Sequence, residues 1–433
     1  MADITQQLNT FLVGGAVRDS LLNRAVVDND YVVVGSSVEA MRQLGFIQVG
    51  KDFPVFLHPK SKQEYALART EKKSGQGYTG FNCNASPNVT LEEDLLRRDL
   101  TINAMAMDEN GKIVDPYNGQ IDLKNRVLRH VSMAFIEDPL RVLRVARFAA
   151  RYHEYGFTIA PETLALMTQL SKSGELLSLS GERVWQEMQR SLADANPEVF
   201  FQVLYQCQAL KSLWPDLHNL WGIPNPAKWH PEICSGLHTM MVLKQAVLLS
   251  TKTTIRFASV CHDLGKSLTE DKTLPSHPGH ETAGLPLIEE LCARLRVPTT
   301  YKTLALKVCQ FHLHTHKVFE LKASTILKLY DQLDAWRKPE EFYDFLLCCQ
   351  ADFTGRLGFE KREYPQKDFL YHAFEKLVLI TAKPFVEQGL KGLEIKAAIA
   401  EQRLAVLKQF KLEYMQQNQV VLLKVAELTA LIQ

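Results

Sequence analysis

The chain has 433 residues, of which 46% are apolar and 23% charged, and its formal net charge is +1. This length is too great for one average core and predicts two to four domains. The composition is that of a globular protein. The near-neutral charge excludes a globally positive surface, so any nucleic-acid interface must be a local patch.

The eight cysteines are scattered and form no CxxC pair, which argues against a zinc ribbon or a redox motif and is typical of a reducing compartment. The chain shows no basic and apolar leader, and no apolar run long enough to span a membrane. We therefore expect a soluble, cytoplasmic protein with no membrane contact. The oligomeric state, monomer or homodimer, stays open.

The N-terminal part reads as mixed α/β. Short β-rich runs at residues 11–13, 31–34 and 64–68 predict strands. Residues 71–90 are polar and rich in glycine, which predicts a mobile loop.

From about residue 138 helical periodicity dominates to the C-terminus, and strand signals fade. Residues 216–228 lie among prolines at positions 215, 224 and 226, which predicts a linker. A histidine-rich stretch follows, and residues from 387 onward read as amphipathic helices.

Two short motifs near the N-terminus suit a phosphate and metal site. Gly14-Gly15 follows a predicted strand, where glycines let backbone N–H groups approach a phosphate, and Arg18 adds a positive charge. Asp28 and Asp30 precede the next strand, where residues two apart point to one side. Paired carboxylates suit Mg²⁺, and two such ions can activate a hydroxyl and stabilise a leaving pyrophosphate. Each motif alone would also fit a simple turn.

Four further motifs follow in order, Arg-Arg-Asp-Leu-Thr-Ile-Asn-Ala, Asp-Pro…Gly…Asp-Leu, Glu-Asp-x-x-Arg and Glu-Arg-Val-Trp, at residues 97–104, 115–123, 137–141 and 182–185. With the glycine turn and Asp-x-Asp, this series resembles class II tRNA nucleotidyltransferases and bacterial poly(A) polymerases. The matches end at residue 185, and the carboxyl half is less constrained.

The resemblance implies nucleotide contacts in the glycine turn, the second motif and the helix after Glu-Asp-x-x-Arg, at Gly15, Arg18, Arg98, Asp138, Arg141, Arg144 and Arg147. Asp28 and Asp30 would be catalytic and hold Mg²⁺, with Glu64 as a candidate third carboxylate. Asp138 and Arg141 would read the base, because a carboxylate accepts from the amine that C and A share, and a guanidinium donates to a ring nitrogen or carbonyl.

The helix that follows carries a stripe of arginines. Arg141, Arg144, Arg147 and Arg151 fall within roughly 120° of one helix face. Residues 139–153 contain no acidic residue, whereas a solvated helix face usually mixes both signs of charge. We assign Arg144 and Arg147 to the triphosphate by resemblance, and leave Arg151 as a phosphate contact or a surface residue.

The histidine-rich part contains a second group of candidate ligands. His262-Asp263 stands in the string His-Asp-Leu-Gly-Lys within an apolar helical context. The string resembles the HD phosphohydrolase superfamily, in which a helical domain holds a divalent metal. The resemblance implies a metal site, in which a transition metal would also fit, at His238, His262, Asp263 and Asp352, with His280, His312 and His316 as further candidates. His277 and His314 are interpreted as structural.

The combined resemblance implies a multidomain protein. A small α/β head with a mixed sheet would span residues 1–137, and an all-α neck for base recognition residues 138–227. An HD body would span residues 228–360, and a helical tail that contacts tRNA residues 361–433.

The same resemblance implies an enzyme that adds CCA to the 3′ end of tRNA from CTP and ATP without a template and releases pyrophosphate. The HD domain would add 2′,3′-cyclic phosphodiesterase, 2′-nucleotidase and phosphatase activities that clean a damaged tRNA end. Three alternatives stay open: a bacterial poly(A) polymerase, an enzyme that adds only CC or only A, and an HD-type hydrolase with an inactive head.

Overall fold

The computed structural model describes residues 4–26, 28–49, 55–73 and 81–418. The chain divides into two compact units, with the boundary between Leu213 and Trp214. The expected boundary between head and neck lies inside the first unit, and that between HD body and tail inside the second, so the finer four-part division stays a prediction. In the described ranges, no helix has both the length and the apolar character needed to cross a membrane.

The elements of the first unit are β1 (Asn9–Val13), α1 (Gly15–Leu21), β2 (Asp30–Val34), α2 (Val38–Gln43), β3 (Ile47–Val49), β4 (Val55–Leu57), β5 (Glu64–Leu67), β6 (Thr70–Lys73), β7 (Phe81–Asn84), α3 (Leu91–Leu96), β8 (Ala106–Met107), β9 (Ile113–Val114), α4 (Gly119–Asn125), β10 (Val127–Leu128), α5 (Leu140–Arg151), β11 (Thr158–Ile159), α6 (Pro161–Lys172), α7 (Gly181–Ala193), α8 (Pro197–Gln206) and α9 (Ala209–Leu213).

The elements of the second unit are α10 (Pro215–His218), α11 (Ser235–Leu249), α12 (Thr253–Cys261), α13 (His280–Leu295), α14 (Thr299–His316), α15 (Ala323–Gln332), α16 (Pro339–Thr354), α17 (Pro365–Val378), α18 (Lys383–Glu387) and α19 (Leu393–Gln417). A 3₁₀ helix at Leu264–Leu268 follows α12.

Within the described residues, seven strands form a mixed sheet in the order β3-β4-β5-β2-β1-β8-β9. The β2–β5 pair is parallel, and the neighbouring pairs are antiparallel. The register pairs Asp30 of β2 with Val13 of β1 on one side and with Glu64 of β5 on the other. Residues in register point to the same face of a sheet, so Asp30 and Glu64 share a face.

Both faces of the central strand are covered. Val32 packs in a cluster with Val13 and Leu95, while its neighbour Val33 packs in a second cluster with Phe56. A strand buried on both faces reads as a continuous apolar run, which explains why Tyr-Val-Val-Val was recognisable as a strand. The polar Asp30 is placed at the first position of this strand, where the apolar cover ends.

Helix α3 begins with a complete capping box. The Thr90 side chain accepts from the Glu93 backbone N–H, and the Glu93 carboxylate accepts from the Thr90 backbone N–H. Such a cap satisfies backbone donors that have no partner inside the helix, and it fixes where the helix starts. The helix therefore delivers Asp94 and the following Arg97 and Arg98 to a defined place beside the sheet.

One expectation for the first unit needs correction. The predicted mobile loop at residues 71–90 contains an antiparallel hairpin of β6 and β7, while residues 74–80 lie outside the described residues. The segment after residue 138 is predominantly helical, as expected; its short strand β11 pairs in parallel with β10, which precedes that segment. Pairing between separate segments is not visible in local periodicity.

The second unit is helical in its described residues. Helices α11, α12, α14 and α16 pack on one another, and α13 packs against the 3₁₀ helix at Leu264–Leu268. The predicted linker at residues 216–228 begins just after the boundary between the two units, but it is packed: α10 ends in it at His218, and Leu220 and Asn225 are buried. The prolines in this stretch form turns within a segment that is packed against the rest of the second unit.

Gly265 allows a close crossing of two elements in the second unit. A Cβ atom at Gly265 would lie 2.0 Å from the His280 carbonyl oxygen and 2.7 Å from the Gly284 backbone nitrogen. We expect Gly265→Ala to lower the free energy of unfolding by at least about 2 kcal/mol, because backbone atoms must move to admit the methyl group. Urea denaturation of the full chain measures this.

Ser276→Ala is the control for that measurement. Ser276 is exposed in the neighbouring segment, and its replacement should change stability by less than about 0.5 kcal/mol. Equal stability of the Gly265→Ala and Ser276→Ala variants would contradict the close crossing.

Candidate active sites

The glycine turn of the first unit has a backbone that only glycine adopts readily. Gly14 has φ 67° and ψ −121° and precedes the first residue of α1. A Cβ atom at Gly14 would lie 2.9 Å from Nη1 of Arg98. A side chain at position 14 would collide with the Arg98 guanidinium, which lies directly against the backbone of the turn. This brings the predicted nucleotide contacts Gly15 and Arg98 into one place.

Asp28 and Asp30 lie beside this turn, at the N-terminal end of β2. Both are exposed, and Glu64 is exposed on the same face as Asp30. Partial desolvation by the surrounding protein raises the pKa of the Asp30 carboxyl; the Arg98 guanidinium opposes the rise and the Asp28 carboxylate adds to it. Two carboxylates that repel each other at an open edge fit a divalent cation, which would relieve the repulsion.

Asp99 is the buried centre of the second motif. Its Oδ2 lies 2.7 Å from Nη2 of Arg144, and its Oδ1 accepts from the Asn103 amide at 2.9 Å. Burial alone would raise the pKa of the Asp99 carboxyl, but Arg144 and the Asn103 hydrogen bond hold that pKa well below its usual range. Asn103 in turn accepts from Nη1 of Arg18 at 2.5 Å. One carboxylate thus connects the second motif with helices α5 and α1.

Arg18 is almost entirely enclosed, with 4% of its surface exposed. Its guanidinium pairs with Asp19 at 3.0 Å and lies over the rings of Phe148 and Tyr152. The Tyr152 hydroxyl also donates to Asp19 at 3.1 Å. These contacts tie α1 to α5. The structure therefore places Arg18 in a packed network, and its predicted contact with a nucleotide stays a prediction.

The arginines of α5 also have partners within the protein. Arg141, assigned to the base, donates to the carbonyl oxygens of Ala134 and Arg97. Arg147, assigned to the triphosphate, pairs with the buried Glu187 at 2.5 Å. Helical spacing could not reveal a partner 40 residues away such as Glu187, and the nucleotide roles of these arginines stay predictions. Arg144 keeps 34% of its side-chain surface exposed in spite of its pair with Asp99.

Asp138 lies immediately before α5 and is held by two donors. Its Oδ1 accepts from the Leu140 backbone N–H at 3.0 Å, and its carboxylate pairs with Nη2 of Arg183 at 3.1 Å. Arg183 belongs to the fourth of the downstream motifs, so the structure joins that motif to Glu-Asp-x-x-Arg. The roles of Asp138 and Arg141 in base recognition stay predictions.

The second unit brings all the predicted HD ligands into one buried cluster. Nε2 of His238 lies 3.1 Å from Oδ1 of Asp352, and Nε2 of His262 lies 3.1 Å from Oδ2 of Asp263. On the other side, Oδ1 of Asp263 faces Nε2 of His280 at 3.2 Å and Nε2 of His312 at 3.7 Å. Ligand atoms thus form two groups, His238–His262–Asp352 and Asp263–His280–His312, each with its atoms within 4.8 Å of one another.

The cluster has the polar chemistry that a divalent metal needs. Nε2 of His262, Oδ1 of Asp263 and Nε2 of His280 are buried and have no hydrogen-bond partner among the described residues. Buried polar atoms without a partner are costly, and a cation would satisfy all of them together. Most ligands also stand at the C-terminal ends of α12, α14 and α16, where the helix dipole favours positive charge. The residues present therefore fit a metal site.

Electrostatics at the cluster keep both carboxylates ionised. Burial alone would raise the pKa of the Asp263 carboxyl, but His262 and Lys266 hold that pKa well below its usual range. The pKa of Asp352 is likewise held low against burial by His316 and His262. Burial lowers the pKa of His312 to about 3, so its imidazole is neutral near pH 7 and can offer a lone pair.

Further residues surround the ligands, and sequence reasoning assigned only His316 among them. The buried Lys266 lies 2.6 Å from Asp263 and donates to Asn225. His316, weighed as a substitute ligand, instead lies 2.6 Å from Oδ2 of Asp352, with its other nitrogen 2.7 Å from the Tyr364 hydroxyl. Glu232 lies beside His238. The lysine belongs to the recognised string, but nothing in local spacing signals the other residues.

Comparison with known families gives matches along most of the chain. The poly A polymerase head domain matches residues 10–129, and a probable RNA and SrmB-binding site of polymerase A matches residues 156–220. The HD domain matches residues 236–336. The head match contains Asp28, Asp30 and Arg98, and the HD match contains His262 and Asp263 but ends before Asp352.

Curated relatives extend over nearly the whole sequence. A multifunctional CCA protein of Shewanella frigidimarina is 55% identical over 413 residues, which cover 95% of this chain and 100% of the relative. The chain belongs to the multifunctional CCA protein family. A second member, from Pseudoalteromonas atlantica, is 58% identical over 92% of this chain and 98% of its own length. The resemblance found in the motifs is thereby confirmed at the level of the family.

Solved structures confirm the fold that this family implies. A CCA-adding enzyme in an apo form is similar with a TM-score of 0.66 and 20% identity, over 96% of this chain and 93% of the other. The Thermotoga maritima CCA-adding enzyme complexed with tRNA has a TM-score of 0.62 and 18% identity, over 96% and 93% of the two chains.

The buried Asp99 gives a stability prediction with a defined pH dependence. Because the carboxyl has a lower pKa in the folded chain than its usual value of 3.8, its stabilising contribution is present above about pH 4 and is lost as the pH falls further. We expect Asp99→Asn to lower the free energy of unfolding by about 2–3 kcal/mol at pH 7, since it leaves Arg144 without its charged partner. Urea denaturation at pH 7 and pH 3 measures both effects.

The difference in the free energy of unfolding between the native chain and the Asp99→Asn variant should be smaller at pH 3 than at pH 7. Glu109→Gln, at an exposed position of the same unit, is the control and should be neutral at both pH values. An equal difference in the free energy of unfolding at the two pH values would show that the charge of Asp99 does not contribute to stability.

Proposed function

We propose that this chain adds CCA to the 3′ end of tRNA from CTP and ATP, with release of pyrophosphate and without a nucleic-acid template. The observation that carries the proposal is the meeting of Asp30, Arg98 and the Gly14 turn at one edge of the sheet. Curated relatives are multifunctional CCA proteins, and similar solved structures are complexes of CCA-adding enzymes with tRNA, ATP or CTP; both findings support the proposal. The proposed compartment is the cytoplasm.

Asp28 and Asp30 would hold Mg²⁺, with Glu64 as a third carboxylate on the same face. When bound, the ions supply activation of the attacking 3′-hydroxyl and neutralise charge on the leaving pyrophosphate. The chain's own part is to hold the triphosphate in line with that hydroxyl. Arg98 would contribute beside the glycine turn and Arg144 through its exposed side. No covalent enzyme intermediate is needed, because the tRNA hydroxyl is the nucleophile.

Asp138 and Arg141 would select the base. Arg141 uses two of its five N–H donors on carbonyl oxygens, and the remaining donors can reach a ring nitrogen or carbonyl. The Asp138 carboxylate can still accept from the exocyclic amine that cytosine and adenine share. Uracil and guanine present a carbonyl at that place, so two acceptors would face each other with no proton between them, and these bases would be rejected.

The second unit would hydrolyse phosphate esters at the tRNA 3′ end. The proposed reactions are 2′,3′-cyclic phosphodiesterase, 2′-nucleotidase and phosphatase reactions that restore an end which the head can extend. His238, His262, Asp263 and Asp352 would hold a divalent ion, and Asp263 could share a second ion with His280 and His312. A bound ion supplies Lewis-acid polarisation of the phosphoryl group. Lys266, buried beside Asp263, would add positive charge for the phosphate.

Separate loss of the two activities tests the assignment of the two sites. We expect Asp30→Ala to reduce Mg²⁺-dependent incorporation of CTP into tRNA by more than about 100-fold, because one metal ligand is lost. Hydrolysis of a 2′,3′-cyclic nucleotide should be unchanged. His262→Ala should have the opposite effect, and Glu109→Ala should leave both rates at the native value. CTP incorporation by Asp30→Ala at the native rate would remove the proposed head site.

Nucleotide choice tests the role of Asp138. With tRNA that lacks CCA and all four nucleotides present, we expect the native chain to add C, C and A. Asp138→Ala should lower the preference for CTP over UTP by about 10–100-fold, the effect of losing one hydrogen bond to a charged group. Sequencing of the product ends measures this. A homopolymeric A tail from the native chain would favour the poly(A) polymerase alternative.

A further inference from the structure

The segment Pro224–Cys234 lies between the parts of the chain that the family comparisons cover, which end at residue 220 and resume at residue 236. It nevertheless contributes buried polar side chains to the second unit. Asn225 is 2% exposed, His230 is 9% exposed, and the Glu232 side chain is 3% exposed. Side chains of this kind are buried only where they have polar partners. The segment is therefore part of the surroundings of the metal cluster.

We propose that Glu232 is a positioning residue of the HD site, whose carboxylate lies 2.9 Å from Nδ1 of His238 and favours the proton of that ring at Nδ1, which leaves Nε2 for the metal. The proposal rests on the proposed metal-dependent hydrolysis and adds a residue to it. Glu232 acts through His238 and does not touch the substrate.

The two nitrogens of His238 face different partners. Nδ1 lies 2.9 Å from Oε1 of Glu232, while Nε2 lies 3.1 Å from Oδ1 of Asp352 and 4.0 Å from Oδ2 of Asp263. A neutral imidazole carries its proton on one nitrogen and a lone pair on the other. A carboxylate at Nδ1 favours the proton there, and this leaves the lone pair on the nitrogen that faces the other ligands.

Glu232 is itself fixed from two directions. Its Oε1 also accepts from Nδ1 of His230 at 2.9 Å, and its Oε2 accepts from the Leu357 backbone N–H at 3.2 Å. Leu357 follows the end of α16, the helix that carries the ligand Asp352. The His230 ring also packs edge-on against that of His238, with 4.5 Å between ring centroids. One carboxylate thus sets the position of one ligand relative to the helix that provides another.

A different role for the same residues is a separate metal site. The ligand atoms of His230, Glu232 and His238 also lie within 4.8 Å of one another. An ion there would need the lone pair of His238 Nδ1, which would put the proton on Nε2, opposite Asp352. That proton would bind Asp352, and an ion in the main cluster would lose His238 as a ligand. A positioning role for Glu232 keeps His238 in the main cluster, and the number of ions bound distinguishes the two roles.

Titration of the full chain with Co²⁺ tests the proposal. All samples carry Asp28→Ala and Asp30→Ala, so that the ions counted belong to the second unit, and they are stripped of metal beforehand. Glu232→Gln keeps the shape and a neutral acceptor, Glu232→Ala removes the acceptor, and Glu363→Gln removes a charge at an exposed position as the control. Co²⁺ absorption reports ligand geometry, competition with a chelator gives affinity, and thermal unfolding of the metal-free proteins reports folding.

We expect Co²⁺ affinity to fall by about 10–100-fold in Glu232→Ala, less in Glu232→Gln and not at all in Glu363→Gln, with a shifted absorption band and an unchanged number of ions per chain. Glu232→Gln should unfold at the native temperature without metal. Native affinity and absorption in Glu232→Ala would overturn the proposal, as would the loss of one ion per chain. Failure of the parent protein to bind Co²⁺ would overturn the proposed HD function as well, so the two failures are distinguishable.

Discussion

Burial of carboxylates is the constraint that organises both units of this protein. An ionised carboxylate buried without a partner is strongly unfavourable, so positive or proton-donating groups must lie beside it. In the first unit Asp99 is compensated by the guanidinium of Arg144, which is always charged. In the second unit Asp263 is surrounded by imidazoles and one lysine. A guanidinium neutralises the carboxylate and has no lone pair with which to bind a cation. A neutral imidazole has a lone pair that can bind a cation.

The parts of the fold that the sequence predicted are those determined by neighbours in the chain. The apolar run before Gly35 is a strand because both faces of that strand are buried, and this leaves a local signal. Asp30 could be placed at its start for the same reason. The HD string was recognisable because His262, Asp263 and Gly265 are consecutive or nearly so. The sheet order and the register that pairs Asp30 with Glu64 depend on contacts between distant strands and left no such signal.

Several features that sequence reasoning missed depend on tertiary contacts, often with a partner far along the chain. The stripe of arginines on α5 was correctly placed on one helix face, but the acid that pairs with Arg147 is Glu187, two helices later. Likewise, prolines around residue 224 suggested a loose connection. The buried Glu232 beside His238 makes that connection part of the site. Composition reports how a segment can turn, and only tertiary contacts report what it packs against.

The glycine crossing in the second unit has a consequence for how the metal cluster can vary. Gly265 stands just after Asp263, and it faces the backbone of Gly284 and of His280, itself a proposed ligand. The distance between these two ligand-bearing elements is thus set by direct backbone contact, and no side chain lies between them that could change its rotamer. Side chains elsewhere in the core can repack around a substitution, but this backbone contact cannot adjust in that way. A related protein that favoured a different ion would have to exchange the ligands themselves.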